Sequence, residues 1–105
     1  MRYWDSSAIV PLLIRESASG DMRALFGEDG NILTSFITPI EVSGAVWRRL
    51  HRGELDASGR ADADAQFAAL STNWSQSDKL QRITFVTLDH DLASAARAEG
   101  FPVLP

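Results

Sequence analysis

The sequence predicts an α/β fold, a parallel β-sheet of about four strands flanked by helices, and three observations carry that expectation. Short apolar, β-branched or aromatic runs alternate with longer amphipathic stretches. Glycine, proline and helix-capping residues punctuate the chain between them. Acidic residues recur just behind the apolar runs, at Asp5, Glu41 and Asp89. Strands separated by helices imply parallel pairing, with helices covering the sheet.

Arg2–Trp4 is expected as the first strand. Asp5, Ser6 and Ser7 can each cap a helix through Ala8–Ile14, and Pro11, tolerated in a first turn, sets its start near Ser7. A second helix is expected from about Ser17 to Phe26, ahead of the turn region Gly27–Gly30. Asn31–Phe36 reads as the second strand. Thr38-Pro39-Ile40-Glu41 then supplies a cap, a proline at the first helical position and an acid that closes a capping box. Val42, Ala45, Val46 and Leu50 share one helical face, and Gly53 ends that helix. A further helix is expected over Asp62–Trp74, burying Phe67, Leu70 and Trp74, with Asp62 and Asp64 on its solvated first turn. Ile83–Leu88 reads as a strand, followed by a helix that stops at Gly100. Phe101–Leu104 makes the last strand, with Pro102 favouring a sheet edge.

The 105 residues fit a single domain spanning 1–105. No apolar run approaches the roughly 20 residues that cross a bilayer, and Asp5 interrupts the N-terminal apolar run too early for a signal peptide. No membrane association and a cytoplasmic location are therefore expected. Without cysteine, disulfides, thiolate zinc sites and cysteine nucleophiles are excluded. His51 and His90 cannot build a metal site alone, so a metal would be held by carboxylate oxygens, which suits Mg²⁺ or Mn²⁺ better than zinc. The formal net charge of -4 counts against a passive nucleic-acid-binding module. It is compatible with a nuclease whose acidic centre is neutralised by cations. The basic residues concentrate at Arg48, Arg49, His51 and Arg52, which either complement a helix C-terminus or meet phosphates.

In an open parallel sheet, ligands bind beyond the carboxyl ends of the strands, and Asp5, Glu41 and Asp89 all point to that edge. Clustered carboxylates repel, and raised pKa values or a bound cation relieve the repulsion. A divalent ion held there lowers the pKa of a water and stabilises charge on a phosphodiester. Each acid also has a structural reading: Asp5 as a helix cap, Glu41 as part of its capping box, and Asp89, with Asp91, as an acid flanking a helix start and favoured by its dipole. Trp47 falls on a different helical face from Val42 and Val46, free to contact a partner.

MRYWDSSAIVPLLIRE resembles the opening of PIN-domain toxins of the VapC type, a hydrophobic strand ending in Asp and then Ser/Thr-Ser-Ala. ITPIEVSGAVWRRLHRGEL resembles their second motif, and FVTLDHDLASAARAEGFPVLP resembles their ending. Together these segments cover well over half the chain, in the family's order. The resemblance implies a PIN-like fold and a Mg²⁺- or Mn²⁺-dependent endoribonuclease with metal-binding, catalytic acids at Asp5, Glu41 and Asp89. It also implies an RNA substrate, a cognate antitoxin and a homodimer. Ser6, Arg48, Arg49 and Arg52 are then candidate RNA contacts, and Trp47 and Phe67 candidate partner contacts.

The chain departs from the family pattern between Trp74 and the Ile83–Leu88 strand. Family members carry another acid there, at the start of an Ala-rich helix. Here only Ser75–Arg82 intervenes, so the chain is expected to lack one helical unit, and Asp78 is the only acid in the gap. The alternative expectation is a catalytically impaired PIN remnant, acting only as an antitoxin-binding or self-associating module. A phosphate-accepting receiver-like domain would also place acids at strand ends, but it would want paired acids after the first strand and a later lysine. Asp5 has no acidic neighbour, and the only lysine is Lys79.

Overall fold

A computed structural model of the chain describes residues 1–35, 37–71, 74–76 and 83–105. The elements run β1 (Arg2–Trp4), α1 (Ser6–Leu13), α2 (Ser19–Glu28), β2 (Ile32–Thr34), α3 (Thr38–His51), α4 (Ala57–Ser71), β3 (Trp74–Gln76), β4 (Thr84–Val86), α5 (His90–Ala98) and β5 (Val103–Leu104). The five strands form one parallel sheet in the order β3-β2-β1-β4-β5. The chain therefore winds outward from β1 to one edge, returns to β1's other side, and winds outward again. That makes the β1/β4 boundary a topological switch point, where open α/β sheets form a crevice.

The sheet has five strands, one more than expected. The helix expected over Asp62–Trp74 ends at Ser71, and Trp74 instead opens β3 on the free edge of β2. Tertiary pairing decides here against the helical periodicity, because an edge strand leaves backbone groups that another strand can satisfy. Helix α4 also begins at Ala57, earlier than expected, so Asp62 lies beyond its first turn, and Asp64 pairs with Arg60 one turn before it. Seven residues, 77–83, connect β3 with β4, where a parallel crossover ordinarily takes a dozen or more. Phe36, Asp78 and Lys79 lie outside the described residues.

Helix α1 is apolar all round: Ala8, Ile9, Val10, Pro11, Leu12 and Leu13 are all buried. Such a helix is stable only when enclosed, and α1 packs against α2, α3 and α4 as well as the sheet core. Pro11 sits in its second turn rather than the expected first. Its ring is fully buried, so packing offsets the missing backbone bond. Trp4, Ile32 and Val86 join this core from the sheet. Strand alternation turns Tyr3 and Phe85 to the other face, where Phe85 contacts both Tyr3 and Phe101. Gly53 and Gly100 end α3 and α5 with φ of 73° and 88°, the left-handed conformation glycine adopts without strain.

Thr34 Oγ1 is buried with no hydrogen-bond partner among the described residues. Thr34→Val removes that unmet polar group and keeps a β-branched side chain. It is expected to stabilise the fold by about 1 kcal/mol, raising the midpoint of thermal unfolding followed by circular dichroism. A lowered midpoint would show that the hydroxyl contributes to the fold.

Candidate active site

Asp5 follows β1 directly and acts as the N-cap of α1, its side chain accepting from the Ser7 amide. Its own N–H donates to the Val86 carbonyl at 3.0 Å, extending the β1/β4 ladder by one bond. Asp89 does not follow its strand directly, as expected, because β4 ends at Val86 and Thr87 and Leu88 intervene; it stands as the N-cap of α5, with Oδ1 accepting from the Asp91 and Leu92 amides. The two acids thus flank the switch point, each fixed by the start of its own helix.

A hydroxyl network joins the two turns. Asp5 Oδ2 accepts from the Ser7 amide at 3.2 Å, from Ser7 Oγ at 2.6 Å and from Thr87 Oγ1 at 3.1 Å. Ser7 Oγ in turn accepts from the Leu88 amide at 2.9 Å, and Thr87 Oγ1 from the Asp89 amide at 3.0 Å. Ser7 and Thr87 also approach each other at 3.1 Å. Two hydroxyl protons serve three oxygen–oxygen contacts, so one contact is without a proton at any instant; the 2.6 Å bond assigns the Ser7 proton to Asp5. Asp5 Oδ1 and Asp89 Oδ2 receive no protein donor among the described residues. One oxygen of each acid holds structure and the other is open.

Glu41 enters from the first turn of α3. The expected capping box is not made: α3 has no side-chain cap bond, and Thr38 is buried with its hydroxyl 3.1 Å from Ser35 Oγ. Released from capping, Glu41 lines the same cleft as Asp5, Ser6, Arg48 and Asp89, a hollow of about 590 Å³. Partial burial of its carboxyl, and then the negative charge of Asp5, raise the Glu41 pKa above the usual carboxylate value. Arg48 is the cation of this cleft. A Cβ on Gly44 would lie 3.4 Å from Arg48 Nη1, so the glycine leaves the guanidinium room alongside the helix.

The other sequence candidates lie elsewhere. Arg49 is committed to Glu16 and to Glu54, clamping the end of α3. Arg52 is the C-cap of α3 and does not line the cleft. Trp47 is 51% exposed and stacks on His51 with ring centroids 3.7 Å apart. Phe67 is partly buried against the core. Thr87 was not singled out from the sequence, although it stands two residues before Asp89 as Ser7 stands two after Asp5, a spacing at which short polar side chains bond local amides.

Among the described residues, no group of three acidic or histidine side chains is arranged to hold a metal ion. No helix there is long and apolar enough to cross a membrane. Compared with known proteins, the chain matches no protein-family model, and no curated protein aligns significantly with it.

The raised Glu41 carboxyl gives a pH signature. The folded state favours the protonated form, so the penalty is absent at acid pH and develops as pH rises from the ordinary carboxylate value, about 4.3. Glu41→Gln is expected to be more stable than the wild type at pH 7 and equal to it well below pH 4. Carboxyl NMR should place the Glu41 midpoint high, and Asp5→Asn should lower it. An ordinary midpoint that Asp5→Asn leaves unmoved would contradict the coupling of the two acids.

Proposed function

We propose that the chain is a metal-dependent endoribonuclease of the PIN-domain, VapC-like toxin type, with the β1/β4 cleft as its active site. The observation that carries this reading is the placement of Asp5 and Asp89 on either side of the switch point, each with an open carboxylate oxygen, beside Glu41. The strand order supports it against the receiver-like alternative, which would place β1 between β2 and β3. The sequence after β1, Asp5-Ser6-Ser7, also lacks the glycines of a dinucleotide-binding turn.

The donor set suits a hard divalent cation. All its atoms are carboxylate or hydroxyl oxygens, and Mg²⁺ commonly takes only one or two protein carboxylates, keeping waters for its remaining positions. Asp5 and Asp89 would hold Mg²⁺ or Mn²⁺, with Glu41 beside them, so a cage of three side chains is not required. When bound, the ion supplies positive charge to the phosphodiester and makes a water more acidic. Asp5 is held in place by Ser7 and Thr87, and Asp89 by the α5 amides, so neither needs reorganising. Glu41, in the same cleft, would bind the ion or orient a water, its charged form being favoured once a cation is bound. Arg48 would contact the substrate phosphate, with Ser6 at the cleft wall.

The impaired-remnant reading rests on a different observation: no three-ligand group exists among the described residues, and Ile40 and Trp47 leave apolar surface exposed on α3. In that reading the chain binds an antitoxin or a second copy of itself without cleaving RNA. The short connection between β3 and β4 is where the family's helical unit would be lacking.

Purified protein incubated with a mixed structured RNA is expected to cleave it with Mg²⁺ or Mn²⁺ and not with EDTA. Asp5→Asn and Asp89→Asn should each lower the rate by at least about a hundredfold, the scale of removing a transition-state charge partner. No cleavage by folded wild-type protein would remove the enzymatic reading and leave the binding remnant.

A further inference from the structure

Asp89 belongs to two hollows. One is the acidic cleft; the other, of about 190 Å³, lies between α5 and β5 and shares Asp89 as a wall. Its walls include Thr87, His90, Ala93, Arg97 and Val103. On α5, positions 90, 93 and 97 are spaced by three and four and so share one face. Ala93 is buried and small, which leaves space between the two larger side chains. Arg48 and Arg97, the arginines that line the two hollows, form no ion pair among the described residues.

This arrangement answers an electrostatic difficulty. A polyanion drawn to Asp5, Glu41 and Asp89 meets carboxylates and, within the cleft, a single arginine. A cation in the neighbouring hollow would hold the strand where it runs past Asp89, and guanidinium groups suit phosphate oxygens by charge and by paired donors. Two hollows separated by one side chain fit a flexible single strand better than the convex surface of a duplex.

We propose that the hollow between α5 and β5 is a second phosphate subsite for single-stranded RNA, with Arg97 as its contact residue. The proposal rests on the RNA-cleaving reading for the identity of the ligand. Arg97 is exposed and carries no part of the core, so its replacement leaves the fold intact.

The test is fluorescence anisotropy of a labelled single-stranded RNA in EDTA, over a series of salt concentrations, with wild-type protein, Arg97→Gln, Arg97→Lys and Arg60→Gln. Arg97→Gln is expected to bind severalfold more weakly, with a salt slope shallower by about 0.7, the value of one phosphate contact on a single strand. Arg97→Lys should retain the slope. Arg60→Gln, whose arginine pairs with Asp64 on α4, should match the wild type. An unchanged slope for Arg97→Gln, an equal loss in Arg60→Gln, or no RNA binding by the wild type would each overturn the subsite. Cleavage separates the two ideas. RNA binding that depends on Arg97 without metal-dependent cleavage keeps the subsite and removes the nuclease; cleavage with an unchanged KM in Arg97→Gln does the reverse.

Discussion

The three hydrogen bonds accepted by Asp5 Oδ2 are the constraint on which the site depends. They close the β1–α1 turn on itself through Ser7 and tie it to the β4–α5 turn through Thr87. Bonds to a charged acceptor contribute about 1.5–3 kcal/mol each, more than a neutral turn would gain. Because Ser7 and Thr87 also accept from the Leu88 and Asp89 amides, the position of Asp89 is set from across the sheet. A change at Asp5 therefore reaches both sides of the switch point. The same geometry leaves Oδ1 open, so one carboxylate serves the scaffold and the cleft together.

Behind this network, α1 provides rigidity. Its apolar surface is enclosed on every side, so the residue that caps it cannot drift without disturbing the core. Helix α3 supplies the opposite wall of the cleft on different terms. Val42 and Val46 hold it to the core while Glu41, Gly44 and Arg48 face the opening. Arg49, one residue from Arg48, turns instead to Glu16 and Glu54. Adjacent arginines on one helix thus divide between anchoring the element and furnishing the site.

The sequence made the strands β1, β2, β4 and β5 legible, because short apolar runs bounded by cap residues and glycines are local signals. The acids at their ends were legible for the same reason. Strand β3 was not: its pairing depends on the free edge of β2, which periodicity around Trp74 does not encode. Nor was the freedom of Glu41. Thr38 and Glu41 have capping-box spacing, and only the burial of Thr38 beside Ser35 shows that the box is not formed. The roles of Arg48 and Arg49 were equally indistinguishable in sequence, since the partners of Arg49 lie on distant segments.

These differences bear on why the Glu41 carboxyl is raised, by its burial first and by the charge of Asp5 second. Asp5 and Asp89 each sit at a helix N-terminus, where backbone amides and the helix dipole favour a negative charge. Their N-cap bonds to the Ser7, Asp91 and Leu92 amides fix each carboxylate in place. Glu41 occupies a first turn too, but its side chain makes no cap bond, and it faces the charge of Asp5 from a partly buried position. Its charged form is therefore opposed by burial first and by the charge of Asp5 second. A cation between the two aspartates would lower the Glu41 carboxyl, whereas removal of the cation would raise it again. On the proposed reading, Glu41 is thus a group through which a cation in the cleft would be felt as a change of protonation.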